Sequence, residues 1–428
     1  MSLPEVWRET TLGEVVDIKG GKRLPKGETL IPTETNHPYI RITDLDNNQV
    51  KINQLQFITD KTFSKISRYI VNTDDVIVSV VGTIGLVALI DERLNNANLT
   101  ENCNKLIIKN LDTLNCKYLF YYLISRIGQY EINKNTVGAV QKKLPIYGID
   151  NILITLPPLQ EQKAIANILS SFDEKIELLK EQNETLEQMA QGVFWEWFVK
   201  FNYPNASAEM VKSELGEIPE GWRVYKLYDL VDTVNGYSYK GKELVETSDE
   251  ALVTLKSFNR DGGFQTRGFK PFIGKPKESQ EVKIGDLVVA HTDLTQDADV
   301  LGNPAFIFED GGYNKMYITM DLVKVNSKVE HIDNAFLYYV MKDRRFKGHC
   351  VGYSNGTTVL HLSKKAIPEY EIALPEDLKL AKEFSDIAYT MTRKISNNIN
   401  QIKILQENRD TLLPKLMSGE VRVKGFGG

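Results

Sequence analysis

Polar stretches between apolar runs contain the residues whose side chains are best suited to reading DNA. Arginine and lysine pair with guanine, asparagine and glutamine pair with adenine, and phosphates accept hydrogen bonds from almost any donor. In the first half of the chain, three candidate DNA-binding loops contain Lys22, Arg23 and Lys26; Arg41, Thr43 and Asn47; and Thr136, Gln141, Lys142 and Lys143. The alternative interpretation of each stretch is an ordinary solvated loop.

The second half has candidates at matching positions, but with different residues. They are Lys240 and Lys242; Lys256, Asn259 and Arg260; and Thr357, Thr358 and His361. His291 and Thr292 form a further set directly after a predicted buried strand, where side chains project predictably. The alternative there is a capping turn in which Thr292 and Asp293 satisfy backbone donors. Recurring positions with changed identities indicate two readers of different sequences.

Motifs for catalysis or metal binding do not occur in the sequence. No NPPY-type motif of an amino-methyltransferase is present, and NYPN at 202–205 does not qualify. GGKRLPKG at 20–27 lacks the spacing of a phosphate loop, and HExxH is absent. The histidines are scattered, at His37, His291, His331, His349 and His361. We expect no catalytic residue, metal site or cofactor in this chain.

Cysteine spacing and hydropathy predict a cytoplasmic protein. Cys103, Cys116 and Cys350 form no disulfide framework, which favours a reducing compartment. The first residues lack a basic stretch followed by an apolar core, so no signal peptide is predicted. The uncharged run at 76–90 is too short to span a bilayer, and its glycines predict two buried strands with a turn.

The net charge of -5 argues mildly against nucleic acid as a partner. Divided by segment, residues 1–155 carry +1, 156–214 carry -5, 215–375 carry -3 and 376–428 carry +2. No segment is broadly basic. DNA binding would therefore use local patches, or partners that supply much of the phosphate neutralisation.

One architectural unit is written twice along the chain. Four segments match in order at offsets near 215: WRETTLGEVVDIKGGK with WRVYKLYDLVDTVNGYS, DDVIVS with GDLVVA, GAVQKKLPIYGIDNILITLP with GTTVLHLSKKAIPEYEIALP, and Lys175-Ile176 with Lys394-Ile395. Short β-branched runs bounded by turn residues predict mostly-β domains. Short helices are predicted around Lys117–Arg126 and Asn334–Asp343.

A long helix is predicted after each domain. Apolar positions alternate steps of four and three from Ile165 to Trp197 and again from Phe384 to Leu416, a period of 3.5 that indicates a coiled-coil seam. Prolines at 157 and 158 precede the first helix, and Pro414 is predicted to end the second. Asn183 and Asn398 lie on these seams near mid-helix. Either they meet and fix the register, or each faces solvent.

The predicted fold is α+β, with two pseudo-symmetric, mostly-β domains separated by two long helices that form an antiparallel coiled coil. The expected boundaries are 1–155 for the first domain, 156–201 for the central helix, 202–214 for a linker, 215–375 for the second domain and 376–428 for the C-terminal helix and tail. A helix of ~40 residues is about 60 Å long. Two domains related this way suit a bipartite DNA site with halves on the order of one turn apart.

The chain closely resembles the specificity subunits of type I restriction-modification enzymes over nearly its whole length. The strongest carriers of the resemblance are LPIYGIDNILITLPPLQEQKAIANILSSFDEKIELLKEQ at 144–182, GDLVVAHTDLTQDADVLGNPAFI at 285–307 and RDTLLPKLMSGEV at 409–421; LGEIPEGWRV at 215–224 is also typical.

The resemblance implies that each domain is a target-recognition domain and that the helices act as a ruler. They would also dock two modification subunits, which use S-adenosylmethionine to methylate adenine. Restriction subunits driven by ATP, with Mg²⁺, would cleave unmodified DNA. This chain itself would catalyse nothing.

The aromatic segment VFWEWFVKF at 193–201 has two interpretations. Trp195, Trp197 and Phe198 either dock a modification subunit or bury the helix end against a domain, since large aromatics serve both purposes. For the chain as a whole, the runner-up is an interaction protein whose two modules bind proteins or sugars, which the acidic charge slightly favours. An enzyme with an unrecognised site is a third alternative.

Overall fold

The computed structural model describes residues 6–206, 208–258 and 263–425. The chain divides into two units: unit 1 comprises the residues up to Ile176 and those from Ile404 onward, and unit 2 comprises Glu177–Lys403. Each unit therefore takes part of both long helices. Within the described ranges, no helix is long and apolar enough to cross a membrane.

Unit 1 is built on a four-stranded sheet with the order β2-β10-β7-β8 and a three-stranded sheet with the order β6-β3-β9; β1 also pairs with β11, and β4 with β5. The strands are β1 (Arg8–Thr11), β2 (Val16–Gly20), β3 (Pro38–Ile40), β4 (Leu45–Asp46), β5 (Gln49–Val50), β6 (Gln56–Phe57), β7 (Val76–Ser79), β8 (Val87–Leu89), β9 (Asn98–Leu99), β10 (Cys103–Ile108) and β11 (Leu153–Leu156). The short helices are α1 (Leu12–Val15), α2 (Asp60–Ile66), α3 (Cys116–Ile124), α4 (Arg126–Lys134) and α5 (Ile146–Asp150).

The first long helix, α6, spans Leu159–Phe198 and leads into unit 2. The strands there are β12 (Met210–Ser213), β13 (Gly216–Pro219), β14 (Trp222–Lys226), β15 (Val231–Asn235), β16 (Glu250–Val253), β17 (Lys270–Pro271), β18 (Glu281–Val282), β19 (Leu287–Ala290), β20 (Thr292–Asp293), β21 (Pro304–Phe306), β22 (Lys315–Ile318), β23 (Leu322–Ser327), β24 (Ser354–Asn355), β25 (Leu360–Leu362) and β26 (Glu371–Pro375). The helices are α7 (Leu227–Leu230), α8 (Asn334–Lys342), α9 (Arg344–Gly352), α10 (Ala366–Glu369) and the second long helix, α11 (Lys379–Ser418).

The order of elements in unit 2 repeats that of unit 1, which confirms the predicted duplication. Its four-stranded sheet β15-β23-β19-β21 corresponds to β2-β10-β7-β8, and the parallel pairing of β3 with β9 recurs as β16 with β22. The predicted short helices are present as α3 and α8. The units differ mainly outside this frame: helix α2 precedes β7, whereas the 3-10 turn Glu278–Gln280 precedes β19.

The four-stranded sheet of each unit is covered on both faces, so one of its two inner strands, β7 or β19, is a nearly continuous apolar run. In β7, Val76 and Val78 face the larger core of unit 1, and Ile77 faces a second apolar cluster on the other side. The predicted turn between two buried strands is confirmed: β7 pairs with β8. Gly82 and Gly85 lie between them at φ of 80° and 85°, where a side chain would be strained.

The two long helices bury the predicted seams and run antiparallel in each unit. In unit 1, Leu169 near the start of α6 shares a core with Leu416 near the end of α11. In unit 2, Phe194 near the end of α6 packs on Phe384 near the start of α11, with ring centroids 5.6 Å apart. The coiled-coil prediction is therefore confirmed at both ends of the helices.

Two sequence expectations differ from the structure. Pro414 does not end the second helix, because α11 continues to Ser418. Proline removes one helical hydrogen bond, but Leu413, Leu416 and Met417 are buried in the core of unit 1 and hold the last turn. In addition, the predicted linker at 202–214 contains strand β12, which forms a hairpin with β13.

Asn183 and Asn398 meet, as the first of their two interpretations predicted. The amide of Asn398 donates to Asn183 Oδ1 at 2.8 Å and to Gln182 Oε1 at 3.0 Å. Asn398 is fully buried. A misaligned pairing would leave this amide unsatisfied, at a cost of about 1–3 kcal/mol. The pair therefore favours one register of the helices.

Replacing the buried donor tests this role. Asn398→Asp turns a donor into a carboxylate facing two acceptor oxygens, so we expect a loss of about 2 kcal/mol in unfolding free energy. The urea unfolding midpoint measures it. Asn397→Asp, which adds the same charge at an exposed neighbouring position, is the matched control. Equal midpoints for the two variants would contradict a register role.

Candidate nucleic-acid interface

The predicted DNA-binding loops of unit 1 converge on one edge of its four-stranded sheet. Because β10 runs antiparallel to both β2 and β7, the ends of those two strands, at Gly20 and Ser79, lie beside the start of β10 at Cys103. We call this the loop edge of unit 1. The corresponding loop edge of unit 2 is formed by Asn235, Ala290 and Leu322.

Each of the three predicted stretches of unit 1 is tied to this edge. The Lys22 amide donates to the Leu99 carbonyl at 2.8 Å. Lys143 forms a β-bridge with Val81, directly after β7. The loop after β3 is close as well, since Ile42 Cδ1 lies 3.8 Å from the point where a side chain at Gly82 would place its Cβ atom. The structure therefore brings together residues separated by more than a hundred positions in the sequence.

Unit 2 assembles His291, Thr292 and His361 in a similar place. Thr292 in β20 pairs with His361 in β25, and the Leu362 amide donates to the His291 carbonyl at 2.8 Å. The turn between β24 and β25 exposes Thr357 and Thr358 beside them. Burial, then the charges of His361 and Lys364, lower the pKa of His291, so the neutral ring is favoured.

The remaining candidates of unit 2 lie on other turns. Lys240 precedes the 3-10 turn Gly241–Glu243, and Lys242 lies within it. Glu243 stabilises this turn by accepting from the Lys240 amide at 2.6 Å and from the Tyr237 hydroxyl at 2.9 Å. Lys256 lies exposed in the turn after β16. Asn259 and Arg260 fall outside the described residues.

Several predicted side chains are engaged within their own loops. Arg41 donates to both carboxylate oxygens of Asp44, at 2.6 and 3.0 Å, and to Gln56 at 3.0 Å. Thr292 is 4% exposed and donates to Asp321 at 3.0 Å. Thr136 donates to a carbonyl of helix α4 at 2.8 Å. This geometry favours a positioning role for these three side chains over the predicted contact with DNA.

Most of the other candidates present free polar groups to solvent. Arg23 forms an ion pair with Glu101 at 2.7 Å but remains 80% exposed. The exposed candidates are Lys22, Arg23, Lys26, Thr43, Asn47, Gln141, Lys142, Lys143, Lys240, Lys242, Lys256, Thr357, Thr358 and His361. Within the described ranges, no cluster of three or more His, Cys, Asp or Glu side chains is arranged to hold a metal ion.

The loop at 293–303 is held by Asp293, which was expected only as one member of a capping turn. Its carboxylate accepts from the amides of Thr295, Val300 and Leu301 at 2.8, 2.6 and 3.0 Å. Burial acts to raise the pKa of Asp293, but the hydrogen bonds outweigh it and the net shift is downward. The capping alternative therefore describes Asp293 correctly.

Lys347 holds the same loop from helix α9 and had no signal in the sequence. Its ammonium donates to the carbonyls of Ala298 and Leu301 at 2.7 and 2.6 Å, and to Asn303 Oδ1 at 2.8 Å. All these partners lie more than forty residues earlier, so no local pattern marks the contact. Asp293 and Lys347 together give the chain after Thr292 a defined shape.

Comparison with known proteins identifies this architecture. The family model for the type I restriction modification DNA specificity domain matches residues 4–188. The chain is 26% identical, over 99% of its length and 95% of the relative's, to the type I restriction enzyme MjaIX specificity subunit of Methanocaldococcus jannaschii. It is 27% identical to the MjaVIII specificity subunit of the same organism, over 100% and 95% of the two lengths. The resemblance to type I restriction specificity subunits is therefore confirmed, by the family model over residues 4–188 and by these two relatives over nearly the whole chain.

A solved structure supports the fold of this chain. The crystal structure of the type I restriction-modification system S subunit from M. genitalium has a TM-score of 0.57 and 18% identity, covering 97% of this chain and 98% of that one. The likeness extends over both units and both long helices. It therefore agrees with the α+β architecture predicted from the sequence.

The three aromatic residues predicted to dock a partner differ in exposure. Phe198 is 2% exposed and packs on Phe336 and Phe384, with ring centroids 5.2 and 5.7 Å apart, so its expected docking role is corrected to a core role. Trp197 is half-buried against the same core. Trp195 is 39% exposed and lines a cavity of about 640 Å³.

The role of Asp293 is testable by removing its charge. Asp293→Asn weakens several hydrogen bonds to a buried carboxylate, and we expect a loss of about 1–3 kcal/mol in unfolding free energy. Urea unfolding measures the change. Asp297→Asn, in the same loop but exposed, should leave the midpoint unchanged.

The difference in unfolding free energy between wild type and Asp293→Asn should depend on pH, because the pKa of Asp293 is lowered. A carboxyl whose folded pKa is depressed stabilises the protein fully above its unfolded pKa, near 4, and loses this effect as pH falls through the folded pKa. Wild type and Asp293→Asn should therefore differ most above about pH 5 and converge in acid. A difference that grows in acid would contradict this assignment.

Proposed function

We propose that this chain is the DNA-reading subunit of a type I restriction-modification complex, and that units 1 and 2 each read one half of a bipartite site. One observation carries the proposal. At equivalent positions of the two loop edges, Val81 pairs with Lys143 in unit 1, whereas Thr292 pairs with His361 in unit 2. The same backbone pairing therefore presents the exposed Lys143 ammonium in unit 1 and the exposed His361 ring in unit 2, as two readers of different short sequences require.

The chemistry on DNA is proposed to belong to partner subunits. Two modification subunits carrying S-adenosylmethionine would methylate adenine, and restriction subunits using ATP and Mg²⁺ would cleave unmodified DNA. In this scheme the specificity subunit holds no cofactor and no catalytic residue. Its own side chains choose the site and set where the partners act.

The charge distribution supports dependence on partners. The second domain carries a net charge of -3, and the first carries +1. Most DNA-binding affinity comes from contacts to phosphates.

The proposed half-sites lie on the order of one helical turn apart, at ~34–36 Å.

The site predicted for the complex is split. The full chain, combined with its modification subunit, is expected to methylate adenine in a motif of two specified halves and an unspecified spacer. Single-molecule sequencing maps the motif. Scrambling either half, or adding about five base pairs to the spacer, half a helical turn, should abolish methylation. A single contiguous motif would overturn the bipartite arrangement.

Paired loop variants assign each half to a unit. Lys142→Ala with Lys143→Ala should relax the motif in one half, and Thr357→Ala with Thr358→Ala should relax it in the other. Each lost base contact is worth about 1–3 kcal/mol. Altered preference in the same half for both pairs would contradict the assignment of one half-site per unit.

Trp195 is the residue proposed to dock a modification subunit. Its cavity is also lined by Glu184, Glu187 and Gln191, and the Arg345 guanidinium lies 5.8 Å from its ring centroid. Trp195→Ala should weaken association with the modification subunit by at least tenfold, because exposed aromatics dominate interface energetics. Co-purification and titration calorimetry measure the loss.

Phe198→Ala is the contrasting variant, because its ring lies in the core. It should lower the unfolding midpoint, whereas Trp195→Ala should leave that midpoint unchanged. If Trp195→Ala unfolds or aggregates in the same way, Trp195 is a packing residue and the docking role is wrong.

A further inference from the structure

A basic cavity opens beside the loop edge of unit 1. Its lining includes none of the residues predicted to bind DNA. Its volume is about 320 Å³, and its lining includes Lys19, Gly20, Arg68, Tyr69 and Lys105. Lys19 precedes the end of β2 by one residue and pairs with Lys105 of β10. The cavity therefore sits at the same sheet edge as the basic turn that follows β2.

The three cations of the cavity are not equivalent. Lys105 Nζ lies 3.4 Å from Asp75 Oδ2, and both side chains are more than nine-tenths buried. Lys19 and Arg68 are exposed, and among the described residues neither forms an ion pair. Since Asp75 offsets only one charge, the cavity retains two positive charges.

Unit 2 shows which of these charges the fold requires. Lys324 and Asp286 form the same ion pair, at 2.7 Å, on the equivalent strands. Val234 pairs with Lys324 as Lys19 pairs with Lys105. The paired lysine and aspartate are therefore part of the repeated scaffold, whereas Lys19 is an addition in unit 1.

The second added cation is identified by strand register. Asn98 of β9 corresponds to Tyr317 of β22, because the next residues, Leu99 and Ile318, accept from the chain after β2 and β15 in the same way. Ile70 bridges to Asn98 and Glu281 pairs with Tyr317, so positions 70 and 281 are equivalent. Arg68 then corresponds to Ser279. Unit 2 thus has valine and serine where unit 1 has lysine and arginine, and it adds a carboxylate.

We propose that the cavity formed by Lys19, Arg68 and Lys105 binds a backbone phosphate of the DNA that flanks the half-site read by unit 1. This inference rests on the proposed function. The cavity continues a basic surface, because the Lys22 ammonium lies 5.6 Å from the ring centroid of Tyr69 at its wall. Phosphate contacts add affinity and fix register without reading sequence. The two units therefore hold DNA unequally, and unit 1 supplies this extra contact.

The test replaces the two added cations by the residues that unit 2 carries. Lys19→Val with Arg68→Ser keeps the scaffold pair, and unit 2 shows that the fold accepts these residues. Binding of the full chain, with its modification subunit, to target DNA is measured across salt concentrations. The slope of log affinity against log salt should fall by about one, the value expected for one lost phosphate contact. The preferred sequence should stay the same.

Lys109→Gln is the matched control. Lys109 follows β10 at the opposite end from the loop edge and is tied to the Gly13 carbonyl. Removing its charge should leave the slope unchanged. An equal fall in slope for this variant would show a general charge effect and overturn the proposed contact. If the double variant does not fold, Arg68→Gln alone replaces it in the salt titration. Its urea unfolding midpoint then shows whether this single variant is folded.

Neutral methylphosphonate linkages locate the contact. One substituted position next to the half-site of unit 1 should weaken wild-type binding severalfold and leave the double variant unaffected. The proposal would be overturned if no substituted position weakened wild-type binding, or if every position weakened binding equally in wild type and the double variant. Stabilisation of wild type by millimolar inorganic phosphate, with unchanged DNA binding by the double variant, would assign the cavity to a free anion and also overturn it.

Failure of this inference is distinct from failure of the proposed function. If wild-type complex does not prefer its methylated motif over scrambled DNA, the reading function itself is wrong. If it does prefer the motif, but the double variant keeps the wild-type salt slope, only the phosphate site is wrong.

Discussion

The two long helices must bury a seam of apolar side chains that repeats every 3.5 residues, and the rest of the molecule depends on this constraint. A helix with such a seam is not stable alone in water, because each large apolar side chain left exposed forgoes about 1.5–3 kcal/mol. Helices α6 and α11 satisfy the requirement in both units by pairing with each other and with a domain core. The amide pair of Asn183 and Asn398 then selects one alignment among those that the apolar contacts alone would allow.

Within each unit, the interactions that stabilise the sheet are separate from those at its edge. The ion pair of Lys105 with Asp75 recurs as Lys324 with Asp286, and the apolar strand β7 recurs as β19. The side chains at the loop edges do not recur. Because the frame is buried on both faces, substitutions at the edge have little effect on its packing. This separation explains how one scaffold carries two different surfaces in the same chain.

Features with a repeating physical signature were predictable from the sequence. The 3.5-residue period predicted both long helices and their seams, and the matched segments predicted two copies of one domain. The end of α11 was not predictable, because the burial of Leu413 and Met417 that offsets Pro414 depends on a core built from distant residues. The internal pairing of Arg41 with Asp44 was also hidden, since a basic residue in a polar loop has the same appearance whether it is free or engaged. The basic cavity requires the register of β2 with β10, which no local pattern encodes.

The core of unit 1 contains residues from both ends of the chain, and this has a consequence for synthesis on the ribosome. Glu161 is fully buried and accepts hydrogen bonds from Trp7 Nε1 at 3.1 Å and from Arg422 Nη2 at 2.8 Å. Folding of the first domain therefore cannot be completed until a segment that follows unit 2 in the sequence has been translated. At typical elongation rates of ~5–20 residues per second, the interval between Ile176 and Ile404 is roughly 10–50 s. During that time the buried carboxylate lacks its arginine, and the apolar face of the first half of α6 has no helix to cover it. Until then the nascent first domain exposes apolar surface, and the segment with Leu413, Leu416 and Met417 completes its core only after unit 2 has been translated.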